Sequence, residues 1–437
     1  MNEKIKVVWL CHFSNVFVHE RLDLRYNRLI GFMKRLVHKP LSTDVPEFAK
    51  WITNGINEFE KIEDVELHVV SPYPYLKTGV QEFKANGINY HFFRNEDDNF
   101  FVFLYKQLFH PSYYDYKRNR RVISRIISDI TPDIIHLFGA EIPSIALGML
   151  SISNDIITIA QLQTLMSEPA FKDNYPISDK EYKYRSGVER LIIKKASFLG
   201  TLELKYRQFI LSSINPNAVF LNTGLALNEP IFTEDCEKKY DFVYFSADIS
   251  KAADLAIEAF ALAHRHNQQI TLDIIGGYDD GYKQYLDGLI NKREIAGAVK
   301  FEGKLPTHKE VLAHIRESKY ALLPLKIDLI SSTIREAMSN GLPVITTDTG
   351  EMGTQRLNIK RKSVLISPVG DHQALAKNML LLLEDKELSS TIRKNAFETR
   401  LEARSNEMTA KKYVDAYKIC IDNIKRNCAL PDRVTKI

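Results

Sequence analysis

The chain has 437 residues, 45% of them hydrophobic and 26% charged, with a net charge of +4. That length exceeds one ordinary core and fits two domains of roughly 200 residues each. The composition is that of a globular protein, and the mild positive charge argues against nucleic acid as a partner.

No apolar run reaches the roughly 18 residues that span a bilayer, and no signal peptide is read ahead of the first strand. Cys11, Cys236, Cys420 and Cys428 are scattered without metal-like spacing, which suits reduced thiols. The expected location is cytoplasmic, with a peripheral position on the inner face of the membrane as the variant that the basic segments below suggest.

Residues 6–11 (KVVWLC) have the length and content of a strand covered on both faces, and residues 12–15 (HFSN) are the loop at its carboxyl end. An insertion at 16–40 places Leu22, Tyr26, Leu29, Ile30, Met33, Leu36 and Val37 at helical spacing, with Arg21, Arg25, Arg28, Lys34 and Arg35 off that stripe. A basic amphipathic helix of this kind lies on an anionic membrane surface. A helix packed on its own domain with a solvated basic face satisfies the pattern equally well.

A helix at 51–62 and strands at 65–72 and 88–93 follow. Residues 100–121 (FFVFLYKQLFHPSYYDYKRNRR) interleave aromatics with cations. That mixture suits sugar stacking, a polyprenyl-phosphate acceptor or a membrane interface, and it equally suits a helix pair using its aromatics as core. Residues 133–141 (DIIHLFGAE) and 156–164 (IITIAQLQT) read as strands, and on the second Gln161 and Gln163 alternate onto one face. Asn222-Thr223-Gly224-Leu225 is a glycine-containing junction fit for an interdomain linker.

The second domain restarts with a strand at 240–245 (YDFVYF) and a helix at 251–263. Strands at 270–277 and 299–305 end in Gly276-Gly277 and Gly303, and this alternation predicts a second Rossmann-like sheet. No full G-x-G-x-x-G is present, and a lone Gly-Gly is a weak signal. Helices are expected at 372–384 and along the charged run to 426.

The most informative stretch is 319–353, KYALLPLKIDLISSTIREAMSNGLPVITTDTGEMG. A short apolar run at 320–325 is a buried strand, and a polar turn at 327–332 leads into a helix with Ile334, Ala337 and Met338 on one stripe. Gly341 stands where a helix end wants φ > 0, before a second buried strand at 342–347. This is one βαβ unit, and its loops lie at the carboxyl ends of strands, where open α/β sheets bind ligands. Ser331, Ser332 and Thr333 surround the helix start, whose free N–H groups and dipole favour phosphate. Asp328 in the loop and Glu336 in the helix approach such a ligand from two sides, which suits a nucleotide sugar. Read in isolation, the serines merely cap a helix and Glu336 faces solvent.

The whole stretch resembles the donor-binding segment of family-4 retaining glycosyltransferases of the GT-B fold. Their Glu-x7-Glu pair, Gly-Leu-Pro-Val run and Asp-x-Gly loop align with Asp328 and Glu336-Ala337-Met338, Gly341-Leu342-Pro343-Val344 and Asp348-Thr349-Gly350. The chain departs from the pattern at Asp328, which stands for Glu, and in the loop, where serines replace glycines.

The resemblance implies an α/β protein of two Rossmann-like domains facing each other across a cleft. The expected division is 1–224 on the acceptor side, 225–412 for the nucleotide sugar, and a helix at 413–437 crossing back. It implies a metal-independent hexosyltransferase moving sugar from a nucleotide-diphosphate sugar to a saccharide or lipid-linked acceptor, in cell-surface polysaccharide or glycolipid synthesis, with no cofactor. Among site residues, Lys251 would neutralise the diphosphate, Asp328 orient the sugar hydroxyls and Glu336 hold the ribose. His136, and Gln161 or Gln163, would lie near the donor sugar, with Gln163 preferred. Ser14 and Asn15 would replace the paired glycines usual in the first loop, and Gly303 and Leu305 would border the base. The position of the usual diphosphate Arg is Ala247. That loss keeps open a non-catalytic sugar-nucleotide-binding subunit, and the fold alone admits an epimerase or phosphorylase.

Overall fold

The computed structural model describes residues 4–24, 48–109, 113–174, 177–201, 204–227, 236–246, 251–326, 331–350, 353–402 and 405–432. Among them the strands form two sheets, each in its own compact unit. One unit comprises Met1–Asp173, Ile177–Leu227 and Ser405–Ile437, and the bulk of the other is Asn228–Arg404.

In the first unit β1 (Ile5–Leu10) is central. On one side lie β2 (Val65–Tyr73), β4 (Ile88–Arg94) and the edge strand β3 (Val80–Ala85). On the other are β5 (Ile134–Phe138), β6 (Ile157–Gln161), β7 (Phe198–Gly200) and β8 (Phe220–Leu221). The pairings are parallel except β3 with β4. β5 and β6 are buried throughout, as near-continuous apolar strands covered on both faces should be. The antiparallel β3 is unexpected, yet its signal is present. Ala85 pairs with Ile88 across Asn86-Gly87, both at positive φ, the residues a two-residue hairpin turn demands.

The helix Asn406–Arg426 belongs to this first unit. It starts seven residues before the expected 413, at Ser405, whose Oγ accepts from the Met408 N–H at 3.0 Å. Tyr413, Tyr417 and Cys420 are buried in the same core as Trp9, Phe59 and Phe138. The indole of Trp9 donates to the Tyr417 hydroxyl at 2.9 Å, and the Tyr413 hydroxyl donates to the Gly224 carbonyl.

The second unit holds a six-stranded parallel sheet, β9 (Tyr240–Phe245), β10 (Leu272–Ile275), β11 (Val299–Gly303), β12 (Ser318–Leu323), β13 (Val344–Thr347) and β14 (Val364–Ser367). Its order is β11-β10-β9-β12-β13-β14. The first connections run one way from β9 and the later ones the other way. The switch point therefore falls between β9 and β12. The expected helix at 372–384 is His372–Glu384, and Gly341 takes φ +71° after the helix Ser332–Ser339. The helix expected from Lys251 begins later, at Ala253.

Of the basic insertion, residues 25–47 lie outside the described residues. Within reach, Val16–His19 is a single helical turn, and Arg21 stacks on Phe17 at 3.7 Å. The aromatic stretch divides between the two readings. Tyr116 is core, whereas Phe101, Tyr105, Leu108 and Phe109 of the helix Phe100–Phe109 are exposed.

Candidate active site

At a switch point two neighbouring parallel strands send their chains to opposite faces, leaving a crevice at their carboxyl ends. In the second unit the loops concerned follow β9 and β12, and each leads to a helix. Lys251, half-buried, lies two residues ahead of the helix Ala253–His266. Ser331 precedes the helix Ser332–Ser339.

Both helices begin without a side-chain cap. Ala252 has no acceptor to offer, and the Ser331 hydroxyl is shared with Thr333 Oγ1 at 2.8 Å. Elsewhere in this unit Asp279, Thr307, Asp371 and Asp385 each cap a helix through an oxygen. Among the described residues no N-cap side chain takes the first-turn N–H groups of these two helices, where the dipole favours an anion. Lys326, in the loop after β12, reaches Asp254 in the first turn of Ala253–His266 at 3.1 and 3.3 Å, so an ion pair joins the two loops. Ser331 is buried, Ser332 exposed and Thr333 half-buried.

Glu336 faces inward. It is buried, and its Oε1 lies 3.6 Å from His308 Nε2. His308 opens the helix His308–Ile315 after β11. Sequence reasoning passed over it, although Thr307-His308-Lys309-Glu310 has the spacing of a capping box. Thr307 Oγ1 does accept from the Glu310 N–H at 3.2 Å.

Neighbouring loops are tied to this edge. Gly303 takes φ +71° and its carbonyl accepts from the Gly276 N–H at 2.9 Å, while Leu305 rests half-buried on the core. Gly276 is dictated by packing: a Cβ there would stand 2.1 Å from the Ser246 carbonyl oxygen. The Asp348 carboxylate accepts from the Gly350 N–H and from Gln355 Nε2. Thr347 Oγ1 accepts from the Leu325 N–H and donates to its carbonyl. Asp328 and Ala247 lie outside the described residues.

The first-unit candidates behave differently, each with structural partners of its own. His136 is fully buried with Nδ1 2.8 Å from the Tyr417 hydroxyl, and burial pushes its pKa down to about 3. It is a neutral core histidine that seats a helix. Gln161 is also enclosed. Its Oε1 accepts from Thr223 Oγ1 at 2.8 Å and its Nε2 donates to the Thr223 carbonyl at 3.2 Å, so its amide anchors the 222–225 junction. Ser14 and Asn15 have structural partners: Ser14 Oγ meets the Tyr73 hydroxyl at 3.1 Å, and Asn15 caps Val16–His19 and donates to Thr53.

Gln163 is not on the strand at all. β6 ends at Gln161, and Gln163 is half-buried in the loop beyond it. That loop is held by Glu189, which sequence reasoning missed. Its buried carboxylate accepts from the Met166 and Ser167 N–H groups at 3.0 and 2.6 Å, and burial raises its pKa to about 7. His12, at the end of β1, is pushed down to about 4 by burial.

Residues 231–399, most of the second unit, match the family model described as glycosyl transferases group 1. No curated protein sequence matches the chain. Among solved structures, sucrose-phosphate synthase from Thermosynechococcus elongatus is similar at TM-score 0.63 and 14% identity, covering 95% of this chain and 98% of that one. Anabaena HepE in complex with UDP is similar at TM-score 0.62 and 14% identity, covering 95% and 100%. A glycosyltransferase from Rickettsia africae gives TM-score 0.58 at 13% identity, covering 97% and 100%. The fold is GT-B: two Rossmann-like units, with the matched domain in the second.

Proposed function

We propose that this chain is a retaining glycosyltransferase that takes its sugar from a nucleoside diphosphate sugar. One observation carries the reading: two uncapped helix starts and a buried carboxylate meet the switch point of the very unit that matches the glycosyltransferase model. The diphosphate rests on the amides of Ser331–Thr333 and near Lys251, and Glu336 takes the ribose hydroxyls. Asp328 orients the sugar.

Glycosyl transfer breaks a C–O bond through an oxocarbenium-like state while negative charge grows on the leaving phosphate. Fixed N–H dipoles and a lysine aimed at that charge stabilise the transition state more than the ground state, and they do so without a metal. HepE has been crystallised with UDP and with UDP-glucose, which makes UDP-sugars the first donors to try.

The acceptor is a saccharide or a lipid-linked saccharide of cell-surface synthesis. Exposed Phe101, Leu108 and Phe109, followed by exposed Arg118, Arg121 and Arg125, offer an apolar and basic surface for a lipid carrier at an anionic membrane.

The test is donor hydrolysis or transfer with a panel of UDP-, GDP- and ADP-sugars, alongside calorimetric titration of each nucleotide. Turnover of one donor with the anomeric configuration kept supports the proposal. Tight binding without turnover of any donor assigns the chain instead to the sugar-nucleotide-binding subunits, as Ala247 at the usual arginine position would explain. No binding at all overturns both.

A further inference from the structure

A second cluster of ionisable groups stands in the same unit, on β10, β11 and the helix that follows β11. Asp273 lies second in β10, Glu302 fourth in β11, and His314 near the end of the helix His308–Ile315. His314 Nε2 is 2.9 Å from Asp273 Oδ2 and 3.3 Å from Glu302 Oε1. The three ligand atoms all lie within 4.8 Å of one another.

Asp273 is fully buried; its Oδ2 faces only the His314 imidazole, and among the described residues its Oδ1 has no hydrogen-bond partner. His314 Nε2 is likewise without one despite standing 2.9 Å away, so the imidazole is not aligned to donate to the carboxylate. A buried carboxylate left in this condition is destabilising unless a cation or a proton neutralises it.

We infer that Asp273, Glu302 and His314 bind a divalent first-row cation of the zinc or manganese class, as a structural clamp separate from the nucleotide site. The donor set is right for such an ion: one imidazole nitrogen and two carboxylate oxygens. With bonds of ~2.1 Å to a common centre, separations of 2.9 and 3.3 Å subtend angles of roughly 90° and 105°. Those are the angles of octahedral and tetrahedral coordination.

The surroundings agree. His314 Nδ1 faces Glu317 Oε2 at 3.8 Å, which places a carboxylate behind the ring on the side away from the ion. Lys300 pairs with Glu302, but it is half-exposed and also donates to the Tyr240 hydroxyl at 2.8 Å, so it keeps a partner when the ion arrives. The clamp joins two strands to a helix whose first residue, His308, lies beside Glu336. A bound ion would therefore fix the far end of an element that touches the nucleotide site.

The experiment uses the full chain without a histidine tag, stripped with chelator and re-equilibrated with zinc or manganese, then desalted for elemental analysis. About one equivalent retained in the wild type, and lost in Asp273→Asn and His314→Gln, is the expected result. Cobalt substitution should give d–d absorption bands in the wild type only. The thermal midpoint of the wild type should rise with metal, and those of the variants should not. Should Asp273→Asn fail to fold, Glu302→Gln and His314→Gln decide the matter. Equal metal content in wild type and variants, or a midpoint indifferent to metal, overturns the site and leaves a plain ion triad. None of these readouts requires transferase activity.

Discussion

His308 Nε2 lies 3.6 Å from Glu336 Oε1, across the gap between the helix after β11 and the helix after β12. The contact sets an imidazole beside the buried carboxylate of the helix that follows β12. On the proposed reading this carboxylate is a charged acceptor for the nucleotide, worth about 1.5–3 kcal/mol. Glu336→Ala should therefore weaken UDP binding by about 10–100-fold, and His308→Ala by less. Calorimetric titration checks both, with circular dichroism confirming the fold. Wild-type affinity in Glu336→Ala would remove this residue from the site.

Lys251 has the opposite profile. Its charge matters most when the leaving phosphate gains charge, so Lys251→Ala should lower kcat by about 10²–10³-fold with a much smaller change in KM. Steady-state kinetics on the donor that turns over distinguishes the two parameters. An unchanged kcat would place the diphosphate elsewhere.

Gly276 links packing to the site. Its Cβ position lies 2.1 Å from the Ser246 carbonyl oxygen, the first atoms of the loop that leads to Lys251. Gly276→Ala must push that backbone aside, at about 1–3 kcal/mol. Urea denaturation should show the loss of stability, and nucleotide affinity should fall with it. A fully stable and active variant would mean that this loop shifts freely.

His136 gives a pH signature. Its pKa falls from 6.5 to about 3 on burial, so as pH drops below 6.5 the unfolded chain takes up the proton first. Stability contributed by the neutral ring is thus present above 6.5 and drains away toward 3. Glu189, raised from 4.5 to about 7, has the reverse sign and favours the folded state on the acid side. His136→Phe should be less stable at pH 7 yet lose less on acidification. Denaturant midpoints from pH 7 to pH 4 test this, and parallel slopes for the two proteins would contradict it.

The exposed aromatic helix makes a separate prediction. Phe101 and Phe109 are 77% and 69% exposed, so a Phe101→Ser/Phe109→Ser pair should leave the fold intact. It should lower partitioning onto phosphatidylserine-containing vesicles by about tenfold or more. Adding Arg121→Glu should weaken it further, and high salt should mimic that change. Cosedimentation measures each step. Equal binding to neutral vesicles would argue against an anionic surface.

The second unit was the more legible because its signals are local. Strand, polar turn, amphipathic stripe and Gly341 lie within one stretch, and each follows from the residues beside it. The surroundings of the first-unit candidates were not legible because they depend on distant partners. Nothing near Gln161 announces that Thr223 will take its amide, and nothing near His136 announces Tyr417. His308 and the Asn86-Gly87 hairpin carried local signals that went unused. Glu189 did not, since a buried carboxylate accepting two loop N–H groups looks in sequence like any helical glutamate.

The indole of Trp9 finds its hydroxyl partner 408 residues later. The matched domain, lying between those two residues, is continuous in sequence and can condense as soon as it is made. The first unit cannot: its opening strand must wait, with one wall of its interior bare, until residues 406–426 have been synthesised. During translation this greasy surface is the one that chaperones must shield, and a premature stop near residue 400 should yield a stable second half beside an aggregating first.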